Sequence, residues 1–311
     1  MGTHVAHLTR RTLLGAALLP LAACTSRPDV TTPSRTPAVS TTSSAPTTTS
    51  TVEHHSRLFE LEGNFAARLG VYAVNTGSGA TVAHRADERF AFCSTFKGLA
   101  AAAVLHRNPL SHLDTLVRYS ETDLMKSSTI TRQHVATGMT LRALCDAAVR
   151  YSDGTAGNLL LKELGGPSAL TAFTRELGDE VTRMDRVEPD ITTAIPGDPR
   201  DTTTPGAIGT NYRKLVLEDI LPSDKRAFLK DLLERSTTGS RRIRAGLPPT
   251  WPVADKTGTG DYGTLNDIAI TWPPGSAPLV IAIMSDKPTA DAKYDEALLA
   301  QAAAYAAETL T

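Results

Sequence analysis

The chain is poor in the features that would direct it to a nucleic acid, a membrane interior or a metal. Its 32 Lys and Arg nearly balance 33 Asp and Glu, a net charge of -1 over 311 residues, so nothing marks it for a polyanionic partner. The apolar run from Leu13 to Ala23 is too short to span a bilayer, which takes roughly 20 residues. His84, His106, His112 and His134 show neither H-x-H nor H-x-x-x-H spacing, which argues against a zinc site, and no cofactor is expected. Three cysteines, Cys24, Cys93 and Cys145, leave room for at most one internal disulfide.

The N-terminus carries an address. Thr9-Arg10-Arg11-Thr12-Leu13-Leu14 leads into the apolar run, which ends in Leu21-Ala22-Ala23-Cys24. Residues 1–23 therefore read as an export signal of the twin-arginine kind, and Leu-Ala-Ala-Cys resembles a lipobox. Cleavage before Cys24 would leave a lipidated cysteine and tether the protein outside the cytoplasmic membrane. The alternative is an ordinary signal-peptidase site in a chance run of small residues. Residues 24–54 are mostly Ser, Thr, Pro, Ala and Val without apolar periodicity. Such a segment buries too little to offset its ordering entropy, so it reads as a disordered linker. Residues 55–311 remain for the folded domain, enough for one large unit or two closely joined lobes.

Pattern predicts a helix over Ser56 to Leu69, then a strand at Gly70-Val71-Tyr72-Ala73-Val74, the turn Asn75-Thr76-Gly77-Ser78-Gly79, and a second strand through Val82. Lys97-Gly98-Leu99-Ala100-Ala101-Ala102-Ala103-Val104-Leu105 is apolar all round, the mark of a buried helix. Near the other end, Ile268-Ala269-Ile270-Thr271-Trp272 and Leu279-Val280-Ile281-Ala282-Ile283-Met284 flank a Pro-Pro-Gly turn and predict a hairpin, followed by a helix from Asp295 to about Thr309. Strands at both ends with helices between imply an α+β fold, an antiparallel sheet flanked by helices and joined to a mainly helical lobe.

Four short motifs occur in order along this frame: Ser94-Thr95-Phe96-Lys97, Ser152-Asp153-Gly154, Arg186-Val187-Glu188-Pro189 and Lys256-Thr257-Gly258-Thr259. Each alone is cheap. A serine hydroxyl is a weak nucleophile at its free pKa, and a lysine three positions along one helix lies on the same face, one turn away, where it can activate that hydroxyl. A helix N-terminus under Ser94 would also favour a developing oxyanion. A carboxylate such as Glu188 can activate the water that frees an ester.

As a set, the motifs resemble the S-x-x-K, S-D-N and K-T-G signature of the class A serine β-lactamases, from about Arg57 to the last residue. The resemblance implies the fold shared with penicillin-binding proteins, an active site in the crevice between two lobes, and a monomer acting on a small-molecule β-lactam. It makes Ser94 the nucleophile, Lys97 its partner, Ser152 the proton relay to the departing nitrogen and Glu188 the deacylating base, on an Ω-shaped loop closed by Arg186 and Asp201. Lys256 and Thr257 would meet the substrate carboxylate, Gly258 would let the strand lie close to the substrate, and the N–H of Thr259 would be the second oxyanion donor. Arg242 would bring a guanidinium to the same carboxylate. The stretch from Thr259 to Thr264 resembles members that accept cephalosporins as well as penicillins.

Three positions depart from that pattern. Gly154 stands where an asparagine is usual, which removes an amide from the substrate side-chain contacts. Thr192 stands where an asparagine usually helps to hold the hydrolytic water, so deacylation is expected to be competent but slower. The usual partner of a cysteine at the Cys145 position would fall on Ala101, so Cys93 and Cys145 are expected as buried free thiols. Competing readings are a D,D-peptidase or transpeptidase of the same fold, acting on cell-wall peptides, and an inert surface lipoprotein that binds cell-wall material. Glu188 in its loop argues against the first, and the serine-lysine-serine set against the second.

Overall fold

The computed structural model describes residues 55–311, so the expected export signal, lipobox with Cys24 and linker lie outside the described residues. The described chain opens with helix α1 (Ser56–Phe65), then strands β1 (Arg68–Asn75) and β2 (Thr81–His84). Helix α1 stops four residues short of the length its pattern predicts. Ala66 enters the left-handed region (φ 47°), and the Ala66 and Ala67 N–H groups turn back onto Gly63 and Glu62, a helix end made without the usual glycine.

Helices α2 (Phe96–Arg107), α3 (Leu141–Arg150), α4 (Gly154–Leu164), α5 (Pro167–Glu176), α6 (Pro205–Leu217) and α7 (Ser223–Glu234) follow. Strands β3 (Val253–Thr259), β4 (Leu265–Thr271) and β5 (Leu279–Asp286) then return to the sheet, and α8 (Glu296–Leu310) ends the chain. The sheet is antiparallel in the order β2-β1-β5-β4-β3, so both ends of the chain pair at its centre, with Val71 opposite Ile283.

Both faces of the sheet are covered. Leu279, Ile281 and Ile283 of β5 join the core formed with α1 and α8, whereas Val280, Ala282 and Met284 join the larger core that continues into the helical lobe. A two-residue side-chain period thus feeds two cores, which is why the strand reads as one continuous apolar run. Helix α2 lies deep in the larger core, with every residue from Phe96 to Leu105 buried. The α+β architecture is the one expected from the order of elements. Cys93 and Cys145 are both buried and unpaired, and burial raises both thiol pKa values.

Candidate active site

A cleft of about 730 Å³ opens between the β3 edge and the helical lobe, with Ser94, Ser152, Glu188, Thr257 and Thr259 in its walls. Each motif reaches it from a different element. Ser94 sits in a 3₁₀ turn, Cys93–Thr95, that runs straight into α2, and Cys93 carries a left-handed φ of 46° there. Such a φ is costly for a residue with a β-carbon and persists only where the surroundings over-determine it. Here they do: Thr95 Oγ1 donates to the Phe92 carbonyl, and the Tyr212 hydroxyl donates to the Thr95 carbonyl at 2.7 Å.

Lys97, in the first turn of α2, is fully buried and donates through Nζ to Ser94 Oγ at 3.0 Å and to the Ser152 carbonyl at 2.7 Å. Its third neighbour is Glu188, whose Oε1 lies 2.5 Å from Nζ, while Ser94 Oγ donates to the same Oε1 at 3.2 Å. Serine, lysine and glutamate therefore form one closed hydrogen-bonded triangle. Burial pushes the Glu188 carboxyl up. The Lys97 charge and hydrogen bonds from Lys97, Ser127 and Ser94 outweigh that and hold it below the usual carboxylate range, so it is ionised at neutral pH.

The loop that carries Glu188 is fastened at both ends. Arg186 Nε donates to Asp201 Oδ2 at 2.5 Å, and Asp201 Oδ1 accepts the N–H groups of Asp185 and Arg186. Asp201 is completely buried, so this is a buried ion pair supported by two further backbone hydrogen bonds. At its centre the loop is held by a residue the motifs do not include. Asn158 of α4 donates to the Glu188 carbonyl at 2.9 Å and accepts the Glu188 N–H at 3.0 Å, fixing the backbone from both sides. Its sequence signal is weak, one of several polar residues in α4 beside Thr155, Lys162 and Glu163.

Ser152 precedes α4 with φ 57°, and Asp153 caps that helix by accepting the Ala156 N–H. The second oxygen of the buried Asp153 accepts the N–H groups of Ile130 and Thr131, so the aspartate of the Ser-Asp-Gly motif joins α4 to the facing loop. Ser152 Oγ accepts a hydrogen bond from Lys256 Nζ at 3.0 Å.

Strand β3 is an edge strand, yet Val253 to Gly258 are buried, because α7 and the Cys93–Thr95 turn cover it. Lys256 is fully buried. Burial, reinforced by the Lys97 and Arg242 charges against the pull of Asp255 and Asp267, brings its ammonium down to about 7. Thr257 Oγ1 faces the cleft and pairs with Thr238 Oγ1 at 2.7 Å. Gly258 lines the cleft and also has a neighbour within the protein. A β-carbon there would stand 2.6 Å from the Phe92 carbonyl, so glycine lets β3 approach the turn that carries Ser94.

Arg242 borders the cleft and is almost buried. It donates to the Gly258 and Asn266 carbonyls at 3.0 and 2.9 Å and to Thr259 Oγ1 at 2.8 Å, with Glu296 beside its Nε. The structure therefore brings Ser94, Lys97, Ser152, Glu188, Lys256, Thr257, Gly258, Thr259 and Arg242 to one cleft. Thr192 lines the cleft too, but its hydroxyl donates to the Pro189 carbonyl at 2.7 Å. Among the described residues, no three His, Cys, Asp or Glu side chains converge as metal ligands would.

Residues 54–310 match the model of the β-lactamase enzyme family. A β-lactamase of Mycobacterium tuberculosis is 56% identical over 260 residues, 82% of this chain and 85% of that protein. The β-lactamase AST-1 of Nocardia asteroides is 54% identical over 295 residues, 94% of this chain and 93% of that protein. The solved β-lactamase from Streptomyces albus G is 48% identical and superposes with a TM-score of 0.80, covering 82% of this chain and 98% of that one.

Proposed function

Since this chain belongs to the β-lactamase enzyme family and hydrolyses the β-lactam amide, giving resistance to β-lactam antibiotics, we propose the path that its residues take. Ser94 Oγ attacks the lactam carbonyl carbon, and Glu188, paired with Lys97, takes its proton. The helix end under Ser94 and the Thr259 N–H favour the oxyanion, a kind of donor whose loss typically costs about 2.7 to 4 kcal/mol of barrier. The ring C–N bond breaks as Ser152, bonded to Lys256, delivers a proton to the nitrogen. The proton held by Glu188 returns to Ser152, restoring the hydroxyl and the carboxylate; water then attacks the ester carbonyl, giving one proton to Glu188, and the ester C–O bond breaks as Glu188 passes that proton to Ser94 Oγ. Lys256, Thr257 and Arg242 hold the substrate carboxylate through charge-assisted contacts.

The observation that carries this reading is the triangle of Ser94, Lys97 and Glu188, with both bonds to the serine hydroxyl at or under 3.2 Å. The same triangle sets aside the D,D-peptidase alternative, whose acyl-enzyme would persist for want of a base. Purified residues 55–311 should turn over a chromogenic cephalosporin and a penicillin, and Ser94→Ala should abolish both. Turnover surviving in Ser94→Ala would overturn the path.

Export through the twin-arginine segment, lipid on Cys24, a linker over residues 24–54 and a monomeric domain belong to the same proposal. Among the described residues no helix is long and apolar enough to cross a membrane. The intact mass of protein recovered from cells tests the anchor. A chain starting at Cys24 with added acyl mass is expected, and an unmodified chain starting elsewhere would refute it.

A further inference from the structure

The two oxygens of Glu188 keep different company. Oε1 faces Lys97 and Ser94, whereas Oε2 accepts a hydrogen bond from Ser127 Oγ at 2.9 Å. Ser127 lies on an irregular stretch of the cleft wall, in none of the motifs. That stretch is stitched to the start of α4 on both sides of Gly154. Thr155 Oγ1 donates to the Asp123 carbonyl, accepts the Met125 N–H and pairs with Ser128 Oγ at 2.7 Å. On the other side, Asp153 Oδ2 accepts the N–H groups of Ile130 and Thr131 at 2.9 Å. The loop is thereby pressed against the helix at positions 153 and 155, and position 154 decides what can pass between.

Glycine there leaves a gap. A β-carbon at Gly154 would stand 2.2 Å from Ser127 Oγ, 2.2 Å from Glu188 Oε2 and 3.0 Å from Met125 Cβ, so any side chain would displace the hydroxyl or the carboxylate. The space vacated by the missing asparagine is thus occupied by a hydroxyl from the facing loop. Thr192 does not supply an equivalent donor, because its hydroxyl proton is committed to the Pro189 carbonyl.

We propose that Ser127 is a positioning residue for the Glu188 carboxylate, reaching it through the gap at Gly154 and fixing Oε2 so that Oε1 stays turned toward Ser94. The inference rests on the reading of Glu188 as the deacylating base. Orientation matters because a base must lie within hydrogen-bond reach of the proton it takes, and one hydroxyl removes the rotation that would carry Oε1 out of reach. The bond also favours the ionised carboxylate, in the same direction as Lys97 of α2, while the Cys93 thiol lies within range of the same charge.

The test compares Ser127→Ala, Ser127→Thr and Glu188→Gln by single-turnover acylation and deacylation of a penicillin across pH. Ser127→Ala should slow deacylation about five-fold, with acylation changed less, and move the acid limb of deacylation to higher pH. Ser127→Thr, which keeps the hydroxyl, should restore both. A purely structural serine would lower stability without moving that limb. If Glu188→Gln accumulates acyl-enzyme while Ser127→Ala leaves rate and limb unmoved, the Ser127 inference fails alone. If Glu188→Gln accumulates none, the base reading fails and takes the inference with it.

Discussion

Lys256 offers the sharpest electrostatic prediction. A lysine brought from 10.5 to about 7 has its charged form disfavoured by about 5 kcal/mol relative to water, a penalty set mainly by complete burial and next by Lys97. An ammonium carries its charge below its pKa, so the free enzyme presents a positive Lys256 to the substrate carboxylate below pH 7 and loses it above. At pH 8 about one site in ten remains protonated, and each further unit costs about ten-fold. For a penicillin carrying its free carboxylate, kcat/KM should therefore fall with an alkaline limb centred near 7, most of it in KM. In the complex, the substrate carboxylate pulls the ammonium back up, so kcat at saturation should hold to higher pH. The assay is a pH series of initial rates on the native enzyme and on Lys256→Arg, whose guanidinium stays charged throughout. The limb should disappear from the accessible range in that variant. An alkaline limb at the same pH in Lys256→Arg, or none in the native enzyme up to pH 9, would refute the assignment to Lys256.

Two further outcomes follow from the loop around Glu188. Asn158→Ala strips partners from both backbone groups of a residue that is 5% exposed, and should cost about 2–4 kcal/mol in urea unfolding while slowing deacylation more than acylation. A loss under about 0.5 kcal/mol would show that water replaces the amide. Thr192→Asn should raise the deacylation rate a few-fold for good penicillins, since the present hydroxyl is turned onto the Pro189 carbonyl. Acylation as the sole slow step in the native enzyme would contradict it.

The chain discloses what is local or periodic. Ser94 and Lys97 are three apart, so helical geometry alone predicts their contact, and the apolar runs from Ile268 and Leu279 define strands without help from the rest of the chain. Contacts that depend on the approach of distant segments are less visible. Ser127 and Asn158 carry no local pattern; each matters because the fold brings it to Glu188, 61 and 30 residues away. Gly258 was legible as a close approach but not as an approach to the Phe92 carbonyl, because sequence gives a glycine's permissiveness and not the direction of the missing β-carbon. Ala66 ends α1 in a conformation its side chain resists, imposed by the turn into β1, so the helical pattern overran it.

Turnover requires that Glu188 free an ester from Ser94. Intact-protein mass spectrometry of Glu188→Ala mixed with a penicillin reads this directly. The mass of the enzyme plus one whole penicillin, persisting for many native turnovers and absent in Ser94→Ala, is the result expected. A Glu188→Ala enzyme that never holds that mass and still clears the antibiotic at the native rate would contradict the account at its centre.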